Sequence, residues 1–365
     1  MKVLVSDKLS PKGVAVFEKA EGISVDVKTG MSPDELKGVI SEYDGLVIRS
    51  ATKVTSEIIE AAQNMKVVGR AGSGLDNVDL PAASKKGIVV MNTPGGNTIT
   101  TAEHALSMML ALSRKIPQAT ASMKSGKWEK KKFMGSEICN KTLGVVGIGL
   151  VGSVVADRAN GLKMNVIAFD PYLSPERAEQ LGVELVSMDE LLKRSDYITI
   201  HVPKTNDTLN LIDEECFGKM KDGVLLINCA RGGIVNEKAL YDAINSGKVA
   251  GAALDVFDKE PPDPDNPLVG CEEVICTPHL GASTEEAQEK VAVAVAEQMV
   301  DYLLNGTIRN AANVPSVDSD VLATLKPYLN LAERLGAFQG QVVDGGLEEL
   351  FVRMVEENPA CAADE

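Results

Sequence analysis

The run Gly147-Ile148-Gly149-Leu150-Val151-Gly152 fits G-x-G-x-x-G, and its setting constrains the possible folds more than any other feature of the chain. It follows the apolar stretch TLGVVGI (142–148) and opens the helical pattern VVADRANGLK. That strand–turn–helix context is what a dinucleotide site requires. The first glycine permits the turn, the second lets backbone approach a pyrophosphate, and the third allows close helix–strand contact. The helix N-terminus then faces the phosphates. Asp170 ends the next apolar stretch, NVIAFD (165–170), 18 positions beyond Gly152. A carboxylate there accepts hydrogen bonds from ribose hydroxyls and repels a 2′-phosphate, which favours NAD over NADP. The competing reading of Asp170 is a turn or capping residue before Pro171.

A motif of this kind belongs in a parallel sheet covered on both faces, whose strands read as near-continuous apolar runs. The chain contains two series of them. VLVS (3–6), ISVDV (23–27), GLVIRS (45–50), KVVGRA (66–71) and IVVMN (88–92) form the first. A long apolar helix over about 100–116 and the lysine-rich KSGKWEKKKF come next. The second series runs TLGVVGI, NVIAFD, YITIHV (197–202), VLLINCA (224–230), GAALDVF (251–257) and EVICTP (273–278). Helical signals lie between strands. At Ser32-Pro33-Asp34-Glu35 an N-cap serine precedes a proline at the first helical position and a glutamate at the third. The expected class is α/β, with two doubly wound parallel-sheet domains. STEEAQEKVAVAVAEQMVDYLLNG (283–306) predicts a long amphipathic helix able to carry the chain back to the first domain. KPYLNLAERLGAF (326–338) is helical in pattern, and EENPACAADE reads as a polar tail.

Composition narrows the function classes. Lys and Arg number 37 against 52 Asp and Glu, a formal charge of −15. Such a surface repels phosphate backbones, so no nucleic-acid partner is expected, and an anionic substrate needs locally concentrated positive charge. The six cysteines (139, 216, 229, 271, 276 and 361) form no C-x-x-C pair, which predicts reduced thiols and no metal site. No 18-residue apolar run and no signal-peptide pattern occur, so no membrane partner and a cytoplasmic location are expected.

With three histidines in 365 residues, each can be weighed. His104 lies mid-helix in TAEHALSMMLAL, where a packed structural role is expected. His201 ends YITIHV and either lines the cofactor crevice or packs at the strand end. His279 follows EVICTP at a carboxyl edge, where open α/β sheets bind ligands, and is the acid/base candidate. Arg231 follows VLLINCA and Glu260 follows GAALDVF. Oxidation of a 2-hydroxy acid needs a base for the hydroxyl proton and a cation for the carboxylate. A carboxylate paired with the histidine orients its ring and stabilises imidazolium. Spacing alone leaves open an Arg231–Glu260 salt bridge unrelated to chemistry.

At these residues the sequence resembles the D-2-hydroxyacid dehydrogenase family. The resemblance is carried by VIRSATKVT (47–55), VGRAGSGLDNVDL (68–80), GKWEKKKFMG (126–135), GVVGIGLVG (144–152), NCARGGIVNEKAL (228–240), GAALDVFDKEPP (251–262) and TPHLGAST (277–284). It spans about residues 1–313 and implies Arg231, Glu260 and His279 as the catalytic set. It also implies a Rossmann NAD-binding domain (99–284) inserted into a flavodoxin-like substrate domain (1–98 and 285–313), followed by a short extension (314–365). For NAD it implies Ser73, Gly147, Gly149, Leu150, Val151, Gly152, Asp170, Val202, Cys229, Ala230, Asp255, Gly281 and Ala282. For the acid it implies Arg49, Ser50, Gly72, Ser73, Gly74, Asn97 and Lys130 besides Arg231 and His279, and for assembly a homodimer or homotetramer through the NAD domain.

The substrate-domain segments are most like those of family members acting on 3-phosphoglycerate, the entry to serine synthesis. The alternatives are another 2-hydroxy acid (glyoxylate, hydroxypyruvate or D-lactate) or an NAD-sensing binding role of the corepressor type on the same fold. Lys130 stands where such relatives have arginine; it keeps the charge without the bidentate fork. KPYLNLAERLGAFQGQV (326–342) resembles the opening of the extra domain of long members and stops early, as expected for a short form or a truncated chain without serine feedback.

Overall fold

The apolar runs become two separate parallel sheets in the computed structural model, which describes residues 1–314 and positions 328, 331, 334–336 and 338. The extension expected over 314–365 otherwise lies outside the described residues. The chain divides into two units, Met1–Thr93 with Val293 onward, and Pro94–Ala292. These limits fall at 93/94 and 292/293, where the sequence expects 98/99 and 284/285. The second falls inside the helix Glu285–Asn305.

The first unit has five strands: β1 (Lys2–Val5), β2 (Ser24–Val27), β3 (Gly45–Ile48), β4 (Val67–Arg70) and β5 (Val89–Met91). Their order is β2-β1-β3-β4-β5, all parallel, the flavodoxin-like order. The central strand β3 is buried along its whole length, whereas β2, with an aspartate in its middle, is a half-exposed edge. The Ser32 signal forms a complete capping box. Ser32 Oγ accepts the Glu35 N–H, and the Glu35 carboxylate accepts the Ser32 N–H at 2.8 Å. From the helix Glu285–Asn305, Val295, Ala296, Met299 and Leu303 are buried in this unit.

The second unit holds β6 (Thr142–Val146), β7 (Asn165–Phe169), β8 (Glu184–Leu185), β9 (Tyr197–Ile200), β10 (Val224–Asn228), β11 (Val249–Leu254) and β12 (Val274–Cys276). The parallel order is β12-β11-β10-β9-β6-β7-β8. Apolar cores form on both faces, one around Leu106, Met109, Leu143 and Val155, the other around Leu191, Ile198, Leu226 and Leu240. The winding reverses between β6 and β9, the topological switch point where such sheets bind ligands.

Two local expectations change. The two-residue strand β8 is too short to leave a pattern in sequence. The helix expected over about 100–116 ends at Ser113, and a second one runs Ile116–Lys124. Lys115 takes a left-handed φ of 50° at the break, because Pro117 has no N–H to continue the first helix. Among the described residues no helix is long and apolar enough to cross a membrane.

Met299 is 0% exposed. Met299→Ala is expected to destabilise the protein by about 2–5 kcal/mol through lost burial and a cavity. A lower denaturant midpoint at unchanged slope is the expected reading, and an unmoved midpoint would refute the packing role.

Candidate active site

The glycine turn starts where β6 ends. Gly147, at φ +91°, donates its N–H to Phe169 O at 2.9 Å. A Cβ on Gly152 would lie 2.0 Å from Gly147 O, so no larger residue fits the start of the helix Leu150–Gly161. At Gly149 a Cβ would meet nothing within 4 Å, which leaves the open cradle that a pyrophosphate needs. The helix has no acidic residue in its first turn, Leu150 is exposed, and its first N–H groups lack intrahelical partners. The residues present therefore fit a dinucleotide. Asp170 also braces this turn: Oδ2 accepts the Ile148 N–H at 2.8 Å and Oδ1 the Tyr172 N–H at 2.9 Å. Each oxygen keeps a lone-pair site for a ribose hydroxyl. Val202 and the His201 carbonyl lie against Gly147 from the end of β9. His201 is packed, with Thr199 Oγ1 at 2.9 Å from its Nε2, and burial lowers its pKa to about 4. It stays neutral at ordinary pH.

Arg231, Glu260 and His279 follow β10, β11 and β12, three adjacent strands. Buried Asn228 shapes the first loop: its Oδ1 accepts the Ala230 N–H and its Nδ2 donates to Arg231 O, both at 3.0 Å. Arg231 Nη1 donates to Ala230 O at 2.8 Å. A Cβ on Gly232 would stand 1.8 Å from Phe257 O, so glycine there lets the arginine loop meet the glutamate loop backbone to backbone. Glu260 Oε1 accepts the Phe257 N–H at 3.2 Å, and Oε2 lies 2.7 Å from His279 Nδ1. A carboxylate only accepts, so Nδ1 carries the hydrogen and Nε2 is the ring nitrogen left to act as a base.

His279 takes φ +55°, unusual for histidine, and its N–H is shared between Asp255 O at 2.9 Å and Thr277 O at 3.0 Å. The Glu260 hydrogen bond raises its pKa above the usual histidine value, against partial burial; Glu260 and Asp255 charge also raise it and Arg231 lowers it. Burial alone would raise the Glu260 pKa, but the bond to and charge of His279, the Phe257 N–H and Arg231 bring it below the usual value. The two opposite shifts report one interaction. The pair borders a largely apolar cavity of about 390 Å³ lined by Phe257, Pro261, Pro262, Val269 and Pro278.

Asp255, at the end of β11, carries a network that spacing does not reveal. Its Oδ1 accepts from Thr277 Oγ1 at 2.6 Å and Leu280 N at 2.7 Å, and its Oδ2 from Gly281 N at 2.8 Å. Burial would raise its pKa; the bonds from His104, Thr277 and Leu280 lower it. His104, expected to pack between helices, reaches this network instead, with Nε2 at 3.2 Å from Asp255 Oδ1. Cys229 and Ala230 close β10, and burial pushes the Cys229 thiol pKa up. Ala282 follows Gly281 in the same turn. Among the described residues no group of His, Cys, Asp and Glu could hold a metal.

In the first unit, Arg49 and Ser50 follow β3, and Gly72, Ser73 and Gly74 follow β4. These are carboxyl edges beside that unit's own switch point. Asp7 organises the first loop, accepting the Arg49 N–H at 2.6 Å and the Thr52 hydroxyl at 2.7 Å. Thr93 Oγ1 accepts the Gly72 N–H at 2.9 Å, and Asn92 Nδ2 donates to Ser73 O at 2.6 Å. In the second unit, Asn97 stands at the N-cap of the helix Thr98–Ser113. Lys130 lies on an exposed turn. Its neighbours Lys132 and Phe133 line a cavity of about 450 Å³ with Gly223 and Ala250, at the amino-terminal ends of β10 and β11. Lys130 therefore stands apart from the His279 cluster of its own chain.

Residues 106–281 match the family profile described as "D-isomer specific 2-hydroxyacid dehydrogenase, NAD binding domain". The D-3-phosphoglycerate dehydrogenase of Archaeoglobus fulgidus is 53% identical over 352 residues, covering 96% of this chain and 67% of the relative. That of Synechocystis sp. is 51% identical over 351 residues, covering 96% and 63%. The chain thus spans about two-thirds of the length of these curated relatives. The crystal structure of the TT0316 protein from Thermus thermophilus superposes with a TM-score of 0.79 at 33% identity, covering 86% of this chain and 100% of that one.

Glu260→Gln removes the largest cause raising the His279 pKa, so the His279 ring should titrate at lower pH in a histidine NMR titration. An unmoved midpoint would show that the 2.7 Å contact does not set the basicity of the ring.

Proposed function

Because the chain belongs to the D-isomer specific 2-hydroxyacid dehydrogenase family, we propose that it oxidises 3-phosphoglycerate to 3-phosphohydroxypyruvate with NAD, the entry to serine synthesis. The observation that carries the chemistry is the 2.7 Å His279–Glu260 pair, on loops adjoining Arg231 at the carboxyl edge of the sheet with the glycine turn. The substrate follows from the names of the relatives at 53% and 51% identity.

NAD, when bound, supplies the acceptor for the hydride leaving C2. As the C2–H bond breaks, His279 Nε2 takes the hydroxyl proton and the C2–O bond becomes a carbonyl. Glu260 stabilises the imidazolium, which then loses its proton to solvent. Arg231 pairs with the substrate carboxylate and orients C2. Arg49, Ser50, Gly72, Ser73 and Gly74 bind its carboxylate and phosphate, and Asn97 is a further substrate ligand. Asp170 accepts from the adenosine ribose; Leu150 and Val151 face the pyrophosphate. Ser73, Val202, Cys229, Ala230, Asp255, Gly281 and Ala282 border the nicotinamide. Lys130 serves the phosphate only if a second copy presents it. The partner is then another copy of this chain, joined through the second unit, whose Ile116, Met123 and Trp128 are exposed at 52%, 54% and 81%. A monomer in sedimentation would remove that arrangement.

The pH dependence follows from the raised pKa of His279. Oxidation uses the neutral ring, so its rate rises with pH through a midpoint above that of an ordinary histidine. Reduction uses the protonated ring and falls through the same midpoint.

NADH consumption measured with 3-phosphohydroxypyruvate, hydroxypyruvate, glyoxylate and pyruvate side by side decides the substrate. The phosphorylated acid is expected to be strongly preferred, and His279→Ala to lose about 10²–10⁴-fold in turnover while still binding NADH. Preference for an unphosphorylated acid would move the chain to a sibling activity. Turnover of none of them would leave a binding role.

A further inference from the structure

His104 takes no part in the proposed chemistry, yet it lies directly behind the turn that carries His279. Its Nε2 is 3.2 Å from Thr277 Oγ1 and 3.2 Å from Asp255 Oδ1. Thr277 has one hydroxyl hydrogen, and the 2.6 Å contact commits it to the Asp255 carboxylate. Towards His104 the threonine oxygen is therefore an acceptor, as the carboxylate always is. With acceptors on both sides, Nε2 must carry a hydrogen and donate it. The His104 and Asp255 side chains are 18% and 0% exposed, so water competes little for this bond.

Thr101, one turn earlier on the same helix face, donates its hydroxyl to Gly281 O at 3.0 Å. The helix Thr98–Ser113 thus grips residues 277–281 at two points. Between those points His279 holds a backbone conformation that non-glycine residues rarely adopt, at φ +55°. Its N–H and those of Leu280 and Gly281 all go to Asp255, to the carbonyl at 2.9 Å and to the carboxylate at 2.7 and 2.8 Å.

We propose that His104 is a positioning residue: by donating to Asp255 and Thr277 it fixes the turn on which His279 meets Glu260. Its effect on turnover rests on the dehydrogenase reading above; its effect on the His279–Glu260 pair does not.

The test uses the full chain with isotope-labelled histidine, whose three rings are assigned by single substitutions. Wild type is compared with His104→Leu, which removes the donor, His104→Gln, which keeps one, and Thr277→Val, which removes only the hydroxyl. The groups facing His279 are Glu260, Asp255 and Arg231; those facing His104 are Asp255, Thr277 and, through Thr277, Met108. Loosening the turn weakens the Glu260 bond, the largest influence on the His279 ring, so its midpoint should fall in the Leu and Val variants and recover in Gln.

In the same variants kcat should drop about ten- to a hundredfold, as misplacing a reacting group does, with NADH affinity changed less than about twofold. If His104→Leu does not fold, Thr277→Val reads the same link. An unchanged midpoint and kcat beside a lowered Tm would make His104 merely structural and overturn the proposal. A midpoint that rises would do so too, since His104 would then only screen the Asp255 charge. Should wild type turn over no acid, the function fails and the ring titration alone decides the positioning role.

Discussion

A carboxylate sealed from water has to collect donors, and in satisfying that demand Asp255 shapes the carboxyl edge of the seven-stranded sheet. Asp255 is 1% exposed, and among the described residues no lysine or arginine forms a salt bridge with it. Three backbone N–H groups from the loop after β12 converge on this one residue, along with a threonine hydroxyl and an imidazole. A loop that must deliver its amides to one point has little freedom left. The left-handed backbone at His279 follows from that geometry, and it turns the ring toward Glu260. Burial of a charge, usually a liability, is here what makes the loop single-valued.

The dinucleotide turn is organised by a lighter version of the same device. Asp170 accepts one amide on either side of its strand end, at Ile148 and at Tyr172. Both aspartates end strands of one parallel sheet, on opposite sides of β6. Parallel strands direct the loops after them to one edge, so two carboxylates spaced along that edge can fix the glycine turn and the His279 loop independently. Asn228 adds a third latch, without charge, for the loop of Arg231.

Legibility in the sequence depends on how local each signal is. Strand positions other than β8, the glycine turn and the capping box at Ser32 each depend on neighbours within a few residues, and each reads directly. So does the identity of the residues ending β10, β11 and β12. What spacing leaves open is pairing: nothing in the interval between Glu260 and His279 distinguishes a 2.7 Å contact from two solvated side chains. Asn228 sits immediately before Cys229 in NCARGG and reads as no more than part of a strand. The partners of His104 lie more than 150 residues away, so a mid-helix histidine reads as packing. For Lys130 the likeness of a segment assigns a charge to the phosphate, and within one chain that residue lies on an exposed turn. At the helix break after Ser113 the proline is visible, but the long apolar pattern outweighs it.

The packing of His201 at the end of β9 has a consequence for how the protein senses acidity. Of the three side chains whose ordinary midpoint lies near neutrality, this one is held uncharged down to about pH 4. It sits beneath the glycine turn, where an added positive charge would change the attraction for phosphates. The thiols of Cys216, Cys229, Cys271 and Cys276 are pushed away from neutrality as well. Mild acidification therefore leaves the imidazole beside the glycine turn uncharged and acts on the ring of His279, whose pKa is raised. The glycine turn and the His279 loop thus respond differently to acid within one sheet.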